Sequence, residues 1–267
     1  MFEIPKHNEA VAYEVADGIT QMTVGNDGWE GTGTPNFYIV EGRKRAAIID
    51  TGMGTEQEIQ LFADTWQRIG APPIGLVVVT HSHFDHDGGV EAIEKIAESK
   101  SHGGNGTALK RRKFDLGGRS LEIIPTPGHT QDSLVVRDTK TGVVFTGDTV
   151  IGADSVLVSA GIRNYVNSLE RIKEMQPTLL LSGHGQPIFN VSEKIDTYTE
   201  RVIRREQGMV RLIARGVSSV HSLVKGYYGY FGSAAEITAQ AHIDKLIGEG
   251  IVGYDPNGKL ILMKNIG

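Results

Sequence analysis

Four short apolar runs in this chain end in the same way, with a glycine-containing turn that carries histidine or aspartate. The runs at 76–79, 121–124, 143–145 and 179–181 lead to His81, His129, Asp148 and His184, respectively. Short β-rich runs that alternate with helical stretches predict an α/β fold, in which ligands bind beyond the carboxyl ends of the strands. We therefore expect these four side chains to meet at one site.

The turn after the first of these runs holds several metal-type side chains in close succession, in the string His81-x-His83-x-Asp85-His86. In an extended segment, residues 81, 83 and 85 lie on one side while His86 points away. The string can therefore supply ligands to two neighbouring ions.

A fifth apolar run, at 46–49, ends at Asp50, which is a further candidate for the same site. The chain contains no cysteine, so any metal must be held by imidazole and carboxylate groups. These groups suit zinc, iron or manganese, and ligand type alone does not choose among them.

Composition excludes several other classes of protein. The apolar runs are far shorter than the ~20 residues that span a bilayer, so we expect no membrane association. The N-terminus lacks the basic-then-apolar layout of a secretory signal, which predicts a cytoplasmic protein. A formal charge of −5 argues against sequence-independent binding of nucleic acid. The basic run 110–113 is either a solvated loop or a site that attracts phosphate from RNA or coenzyme A.

The pattern changes near residue 190, which predicts a catalytic domain at 1–190 and a smaller domain at 191–267. An apolar helical stripe ends at Gly216, Ser219 can start a short helix, and Ser233 with Glu236 reads as a capping box for a third. Two short strands around 255–258 then form a hairpin. Three helices and a hairpin describe a winged-helix-like domain. Its nearly balanced charge, and the acids Asp244 and Glu249 on its candidate recognition helix, predict no DNA partner.

The string at 81–86, followed by His129, Asp148 and His184 in that order, closely resembles the metallo-β-lactamase superfamily, particularly its glyoxalase II-like members. The resemblance spans about 15–190 and implies an αββα sandwich with the site at one edge. The segment 182–188 and the helices after it look like the branch with a C-terminal winged helix. That branch includes an endoribonuclease and polyketide-releasing thioesterases.

The resemblance also implies a role for each side chain. It assigns His81, His83 and His129 to one divalent metal ion, and Asp85, His86 and His184 to a second. Asp148 would bridge the two ions, for which zinc is the expected metal and iron or manganese are alternatives. Asp85 and Asp50 are the catalytic candidates. Asp85 would orient the hydroxide or accept its proton. Asp50 and Thr80 would fix the orientation of the ligands.

These assignments predict a metal-dependent hydrolase that cleaves an ester or thioester bond of a small acyl substrate through metal-bound hydroxide. One alternative is an RNA-cleaving enzyme, with RNA as its partner. Another is a sulfur dioxygenase with a single iron held by His81, His129 and Asp148. A third is a winged-helix binding module with a vestigial metal domain. The substrate and any homo-oligomer stay open, and substrate choice is expected in the loops 25–35, 101–112 and 153–163.

Overall fold

Two β-sheets packed face to face form the centre of the computed structural model, which describes residues 9–25, 33–104, 110–152, 156–229 and 232–263. Helices cover the outer face of each sheet, and apolar side chains fill the space between the sheets. The predicted α/β class with αββα layers is confirmed. Parts of the three loops named for substrate choice, at 26–32, 105–109 and 153–155, lie outside the described residues.

The first sheet has six strands in sequence order: β1 (Ala10–Ala16), β2 (Ile19–Val24), β3 (Asn36–Glu41), β4 (Ala46–Ile49), β5 (Ile74–Val79) and β6 (Ser101–Gly103). Strands β1 to β4 are antiparallel, whereas β4, β5 and β6 are parallel. Strands β1 and β6 are the two edges of this sheet.

The second sheet has five strands: β7 (Arg112–Asp115), β8 (Ser120–Pro125), β9 (Leu134–Asp138), β10 (Val143–Gly147) and β11 (Leu179–Ser182). Their order is β11-β10-β9-β8-β7, so β7 is an edge strand. Only β10 and β11 are parallel neighbours in this sheet. Strands β8, β10 and β11 all point the same way, and their carboxyl ends lie at one edge of the sandwich.

Two helices cover the first sheet. Helix α1 (Glu56–Arg68) starts with a capping box formed by Thr55 and Glu58, and it buries Phe62 against the sheet. Helix α3 (Val90–Ala97) lies beside it, after the short helix α2 (Phe84–Asp87).

Helix α4 (Ile162–Glu174) and the first half of α5 (Val191–Ala214) cover the second sheet. The second half of α5 packs against α6 (Val220–Tyr228), α7 (Ser233–Gly248) and the hairpin of β12 (Val252–Tyr254) and β13 (Leu260–Leu262). Three helices and a hairpin thus follow in the predicted order. The winged-helix-like class and the boundary at residue 190 stay predictions.

Two helix starts can be compared with their predicted caps. Ser219 caps α6, because its hydroxyl accepts a hydrogen bond from the Ser222 backbone N–H. The capping box predicted at Ser233 is wrong, since Ser233 is the first helical residue and the cap position is Gly232, which has no side chain.

Strands β1, β6 and β7 are not among the predicted strands. Strand β1 is half-exposed, β6 has three residues, and β7 reads Arg-Lys-Phe-Asp with little apolar character. All three are edge strands, which receive backbone hydrogen bonds from one neighbour and need few buried side chains. The basic run at 110–113 is therefore partly a strand and not only a solvated loop.

Candidate metal centre

Loops at the carboxyl ends of four strands carry the predicted ligands, and the structure brings all seven together. They follow β5, β8, β10 and β11: His81, His83, Asp85 and His86, then His129, Asp148 and His184. All are buried except His83, which is half-buried.

The local geometry after β5 differs from the prediction. Residues 81–86 do not form one extended segment, because Phe84–Asp87 is a helical turn, α2. The alternation of histidines imitates the period of a strand, so the sequence hid this turn. The turn aims Asp85 and His86 at His184, whereas His81 and His83 face His129.

The first group consists of three histidine nitrogens in a nearly equilateral triangle. His81 Nε2 lies 3.1 Å from His83 Nδ1 and 3.2 Å from His129 Nε2, and the third side, from His129 Nε2 to His83 Nδ1, is 3.0 Å. Three nitrogens around one tetrahedral zinc ion are about 3.3 Å apart, given zinc–nitrogen bonds of about 2.0–2.1 Å. The triangle therefore fits a single small cation.

The second group lies beside the first and includes a carboxylate. His184 Nε2 is 3.3 Å from Asp85 Oδ2 and 3.3 Å from His86 Nε2. Asp85 Oδ1 and His86 Nε2 are 3.8 Å apart. Two imidazoles and one carboxylate oxygen make a donor set suited to zinc, iron or manganese.

Asp148 lies between the two groups. Its Oδ2 is 3.4 Å from His184 Nε2 and 3.9 Å from His129 Nε2, and its Oδ1 is 3.5 Å from His86 Nε2. Within the described part of the chain, Oδ1 is buried without a hydrogen-bond partner. A buried carboxylate oxygen with no partner is costly, and a bound cation would remove that cost.

Hydrogen bonds on the far side of each ring determine which nitrogen faces the site. His129 Nδ1 lies 2.8 Å from the Leu157 carbonyl, and His184 Nδ1 lies 3.2 Å from the Thr34 carbonyl. A carbonyl only accepts, so each Nδ1 carries a proton and Nε2 is the nitrogen that faces the site and is available to a metal. His129 and His184 are thus held in the tautomer that a metal requires.

Asp50 and Thr80 hold the rings of His86 and His81 by hydrogen bonds to their far nitrogens. Asp50 Oδ2 accepts from His86 Nδ1 at 3.0 Å and from the Thr80 hydroxyl at 2.9 Å. Because that hydroxyl donates to Asp50, it accepts from His81 Nδ1, 3.1 Å away. Asp50 therefore lies behind the ligands, where it orients them through outer hydrogen bonds.

The two groups differ in their protonation. Burial lowers the pKa of His81 well below its usual value and that of His129 to about 4, so both rings are neutral near pH 7. Burial also acts against charge on His184, but the Asp148 and Asp85 carboxylates raise the pKa of His184 to about 10. The proton on His184 thus offsets the negative charge of Asp85 and Asp148, and a metal ion that binds there would displace it.

Glycines make room for this crowding. A Cβ on Gly183 would lie 2.4 Å from Asp148 Oδ1 and 2.5 Å from His86 Cε1. A Cβ on Gly147 would lie 2.4 Å from the Thr80 hydroxyl, and the φ of Gly147 is +47°. Residue 183 must therefore be glycine for steric reasons, and residue 147 also for its backbone conformation.

Sequence reasoning missed the backbone acceptors of the outer hydrogen bonds, the carbonyls of Leu157 and Thr34. A carbonyl is present at every residue, so no side-chain signal marks one. It also missed Thr238 on α7, whose hydroxyl accepts from the Val158 backbone N–H at 3.3 Å, next to the carbonyl that holds His129.

Comparison with known proteins agrees with this geometry. Residues 31–107 and 104–184 match the family model of the metallo-beta-lactamase superfamily. The chain belongs to the metallo-β-lactamase superfamily. With the histidine and aspartate cluster, this membership confirms the prediction of a metal-dependent hydrolase that binds divalent metal.

Several relatives in the superfamily are similar over most of the chain. A protein of Passalora fulva named atrochrysone carboxyl ACP thioesterase is 29% identical, over 84% of this chain and 73% of its own. A beta-lactamase-like protein 2 homolog of Caenorhabditis elegans is 26% identical, over 75% of this chain and 72% of its own.

A solved structure shows the same fold. A beta-lactamase domain protein from Burkholderia ambifaria superposes with a TM-score of 0.81 at 18% identity, over 97% of this chain and 96% of its own. Among the residues that the structure describes, no helix combines the length and apolar character needed to cross a membrane.

Proposed function

We propose that the chain hydrolyses the thioester bond of a small acyl substrate, using two divalent ions, with zinc as the expected metal. His81, His83 and His129 hold one ion, and Asp85, His86 and His184 hold the other. Asp148 joins the two. When bound, such a pair of ions lowers the pKa of a shared water towards neutrality and polarises the carbonyl that is attacked.

The observation that carries this proposal is the set of outer hydrogen bonds. Four rings have their far nitrogen, Nδ1, held by an acceptor, so their four Nε2 atoms converge on two neighbouring points, where a metal ion can bind them. Structural histidines at this distance would pair a donor with an acceptor, whereas His81 Nε2 and His129 Nε2 lie 3.2 Å apart and, with both Nδ1 atoms protonated, each offers only a lone pair. The partnerless Asp148 oxygen between the groups is the second support.

The chain's own residues also support proton transfer. Burial acts against charge on Asp85, but contacts with His184 and His86 hold its pKa below the usual value, so Asp85 is ionised near neutral pH. An ionised carboxylate beside the attacked bond can accept a proton and pass it to the leaving thiol. Asp50 has no such position, because its oxygens are used by His86 and Thr80. We therefore assign Asp50 a positioning role.

Thioester is the preferred bond class because curated relatives from several fungi are named as acyl carrier thioesterases. A complete second group of ligands also favours two ions over the single iron of a sulfur dioxygenase. RNA cleavage remains the alternative within hydrolases.

The test combines metal analysis of the purified protein with a parallel panel of thioesters, lactones and RNA. We expect two ions per chain and thioester turnover. Asp148→Ala and His83→Ala should lower kcat/KM by more than the roughly 10–100-fold that losing an outer partner of a ligand costs. His221→Ala, which removes an exposed histidine on α6, is the matched control and should leave turnover unchanged.

Three results would overturn the proposal. Unchanged turnover in either ligand variant would contradict the mechanism. A ladder of RNA products without thioester cleavage would replace it with the nuclease. One iron per chain, with oxygen uptake in the presence of a persulfide, would replace it with the dioxygenase.

A further inference from the structure

An open edge of the sandwich adjoins the metal centre. Edge strands β6 and β7 face each other there, and the rings of His102 and Phe114 lie 5.4 Å apart across the gap between the sheets. Strand β6 runs parallel to β5, which leads to His81, so the end of β6 lies at the metal-bearing end of the sheet. The described part of this edge therefore lies beside the metal-bearing end of the sandwich.

A groove of about 460 Å³ lies at this edge. Asp87 and Val90 form its wall on the side of the metal centre, and Asp87 directly follows the ligand His86. His102 and Arg112 form the wall made by the two edge strands. The groove thus lies between Asp87, which is next in sequence to a predicted ligand, and Arg112 of the basic run, and none of the seven predicted ligands is among its lining residues.

The strand register shows where the Arg112 side chain points. Arg112 pairs with Ile123 and Phe114 pairs with Leu121, and both β8 partners belong to the core between the sheets. Alternate residues of a strand share a face, so Arg112 and Phe114 both face the gap between the sheets. Arg112 is at the end of β7 nearest the metal, because its partner strand β8 leads to His129.

The charge of this wall is largely uncompensated. Arg111 pairs with Glu122 at 3.3 Å on the other face of the sheet. Within the described ranges, Arg112, Lys110 and Lys113 make no ion pair, and all three are exposed. Of these cations Arg112 is the one that lines the groove, whereas Lys113 pairs in register with Glu122 and so lies on the other face of the sheet; the positive charge of this wall is therefore that of Arg112.

We propose that this groove binds a phosphate group on the thiol half of the substrate, with Arg112 as its principal contact. The inference rests on the proposed thioester hydrolysis, because a thiol carrier places its phosphate away from the bond that is cleaved. Guanidinium binds phosphate through paired hydrogen bonds. Asp87, at the opposite wall, repels phosphate and directs it towards Arg112. Arg112 is the one lysine or arginine that lines the groove, which favours a single phosphate over RNA, whose affinity rests on many such contacts.

The direct test is binding of S-methyl coenzyme A, whose capped sulfur cannot be hydrolysed, to the metal-loaded protein by calorimetry. We expect Arg112→Gln to weaken binding about fivefold to tenfold and Arg112→Lys to weaken it less. Arg215→Gln, at the exposed end of α5, is the charge-matched control and should bind as the unchanged protein does. S-methyl phosphopantetheine distinguishes the phosphate next to the pantetheine from those of the nucleotide.

The proposed phosphate site would be wrong if Arg112→Gln and Arg215→Gln bound S-methyl coenzyme A equally well, or if the unchanged protein bound neither S-methyl coenzyme A nor S-methyl phosphopantetheine. An RNA oligonucleotide that binds more tightly than S-methyl coenzyme A, and loses affinity in Arg112→Gln, would also overturn it.

A kinetic arm separates this inference from the proposed reaction. It compares one acyl group on coenzyme A and on N-acetylcysteamine, which has no phosphate. The preference for the coenzyme A thioester should fall about fivefold to tenfold in Arg112→Gln only. Arg112-dependent binding without cleavage of either thioester would support the phosphate site and refute the proposed reaction. Cleavage of both thioesters, with a preference that Arg112→Gln leaves unchanged, would support the reaction and refute the phosphate site.

Discussion

Asp50→Asn tests whether the outer hydrogen bonds prepare the ligands for metal. Asp50 is buried, with φ of +59°, in the left-handed region that asparagine also tolerates well. The substitution therefore preserves size and backbone conformation. It removes one negative charge and exchanges one accepting oxygen for a donating amide nitrogen.

Neither orientation of the new amide satisfies the neighbours. The carboxylate accepts three bonds: from the Thr80 backbone N–H at 2.7 Å, from the Thr80 hydroxyl at 2.9 Å and from His86 Nδ1 at 3.0 Å. If the amide nitrogen faces the Thr80 N–H, two donors oppose each other. If it faces His86, that ring must move its proton to Nε2 and loses the lone pair that faces the second group.

The magnitude follows from one buried donor or acceptor left without a partner, which costs about 1–3 kcal/mol. Since 1.4 kcal/mol is a tenfold change in an equilibrium constant, we expect zinc affinity at the second group to fall by about 10–100-fold. In the first group His81 is linked to Asp50 through the Thr80 hydroxyl, and His129 is held by the Leu157 carbonyl instead, so the zinc affinity of this group should fall less.

Competition between the protein and a chromophoric chelator measures both affinities, and circular dichroism checks the fold. Asp64→Asn, on the exposed face of α1, is the control for loss of one negative charge. If Asp50→Asn takes up both ions as tightly as the unchanged protein, ring orientation is not set by this carboxylate and the reasoning is wrong.

Two further changes test the packing around the site, and a third tests a buried pair between α5 and α7. Gly183→Ala places a methyl group 2.4 Å from the Asp148 carboxylate, so metal content should fall although every predicted ligand is present; elemental analysis checks this. Thr238→Val leaves a backbone N–H without its acceptor and should weaken metal binding at the first group severalfold, whereas Thr238→Ser should not; the chelator assay compares them. Burial lowers the pKa of His242. The pKa of Glu206 is also lowered: burial acts against its charge, but the hydrogen bonds from His242 and Lys245 outweigh that effect. Both depressed values mean that stability is lost as pH falls, below about 6.5 for His242 and below about 4.5 for Glu206; urea unfolding at several pH values should show a shallower acid slope in His242→Gln.

Apolar runs allowed much of the fold to be predicted. Strand Ala46–Ile49 has the bounds of the predicted apolar run, because continuous burial leaves a clear apolar signal. Strands β6 and β7 are short or charged, so their position depends on a neighbouring strand and not on their own composition. Helix α2 was hidden because His81, His83 and Asp85 alternate along the sequence as side chains on one face of a strand do.

In the candidate site, the inner side chains could be predicted from the sequence, whereas their outer hydrogen-bond partners could be predicted only in part. Histidine and aspartate at strand ends mark the inner residues, since chemistry restricts which side chains bind metal. The outer partners divide in two. Asp50 carried a signal because its strand end matched the others, whereas the Leu157 carbonyl carried none, because it is recruited by a loop whose path depends on tertiary packing.

That loop connects the metal centre with the C-terminal helices. Thr238 on α7 accepts from the Val158 N–H, and the adjacent Leu157 carbonyl holds His129. Ala241 of α7 and Val202 of α5 belong to the same apolar cluster as the helix side of the second sheet. Packing therefore crosses the predicted boundary at residue 190. Since a ligand's ring orientation depends on a loop braced from that side, the C-terminal helices are part of what holds the first group in place.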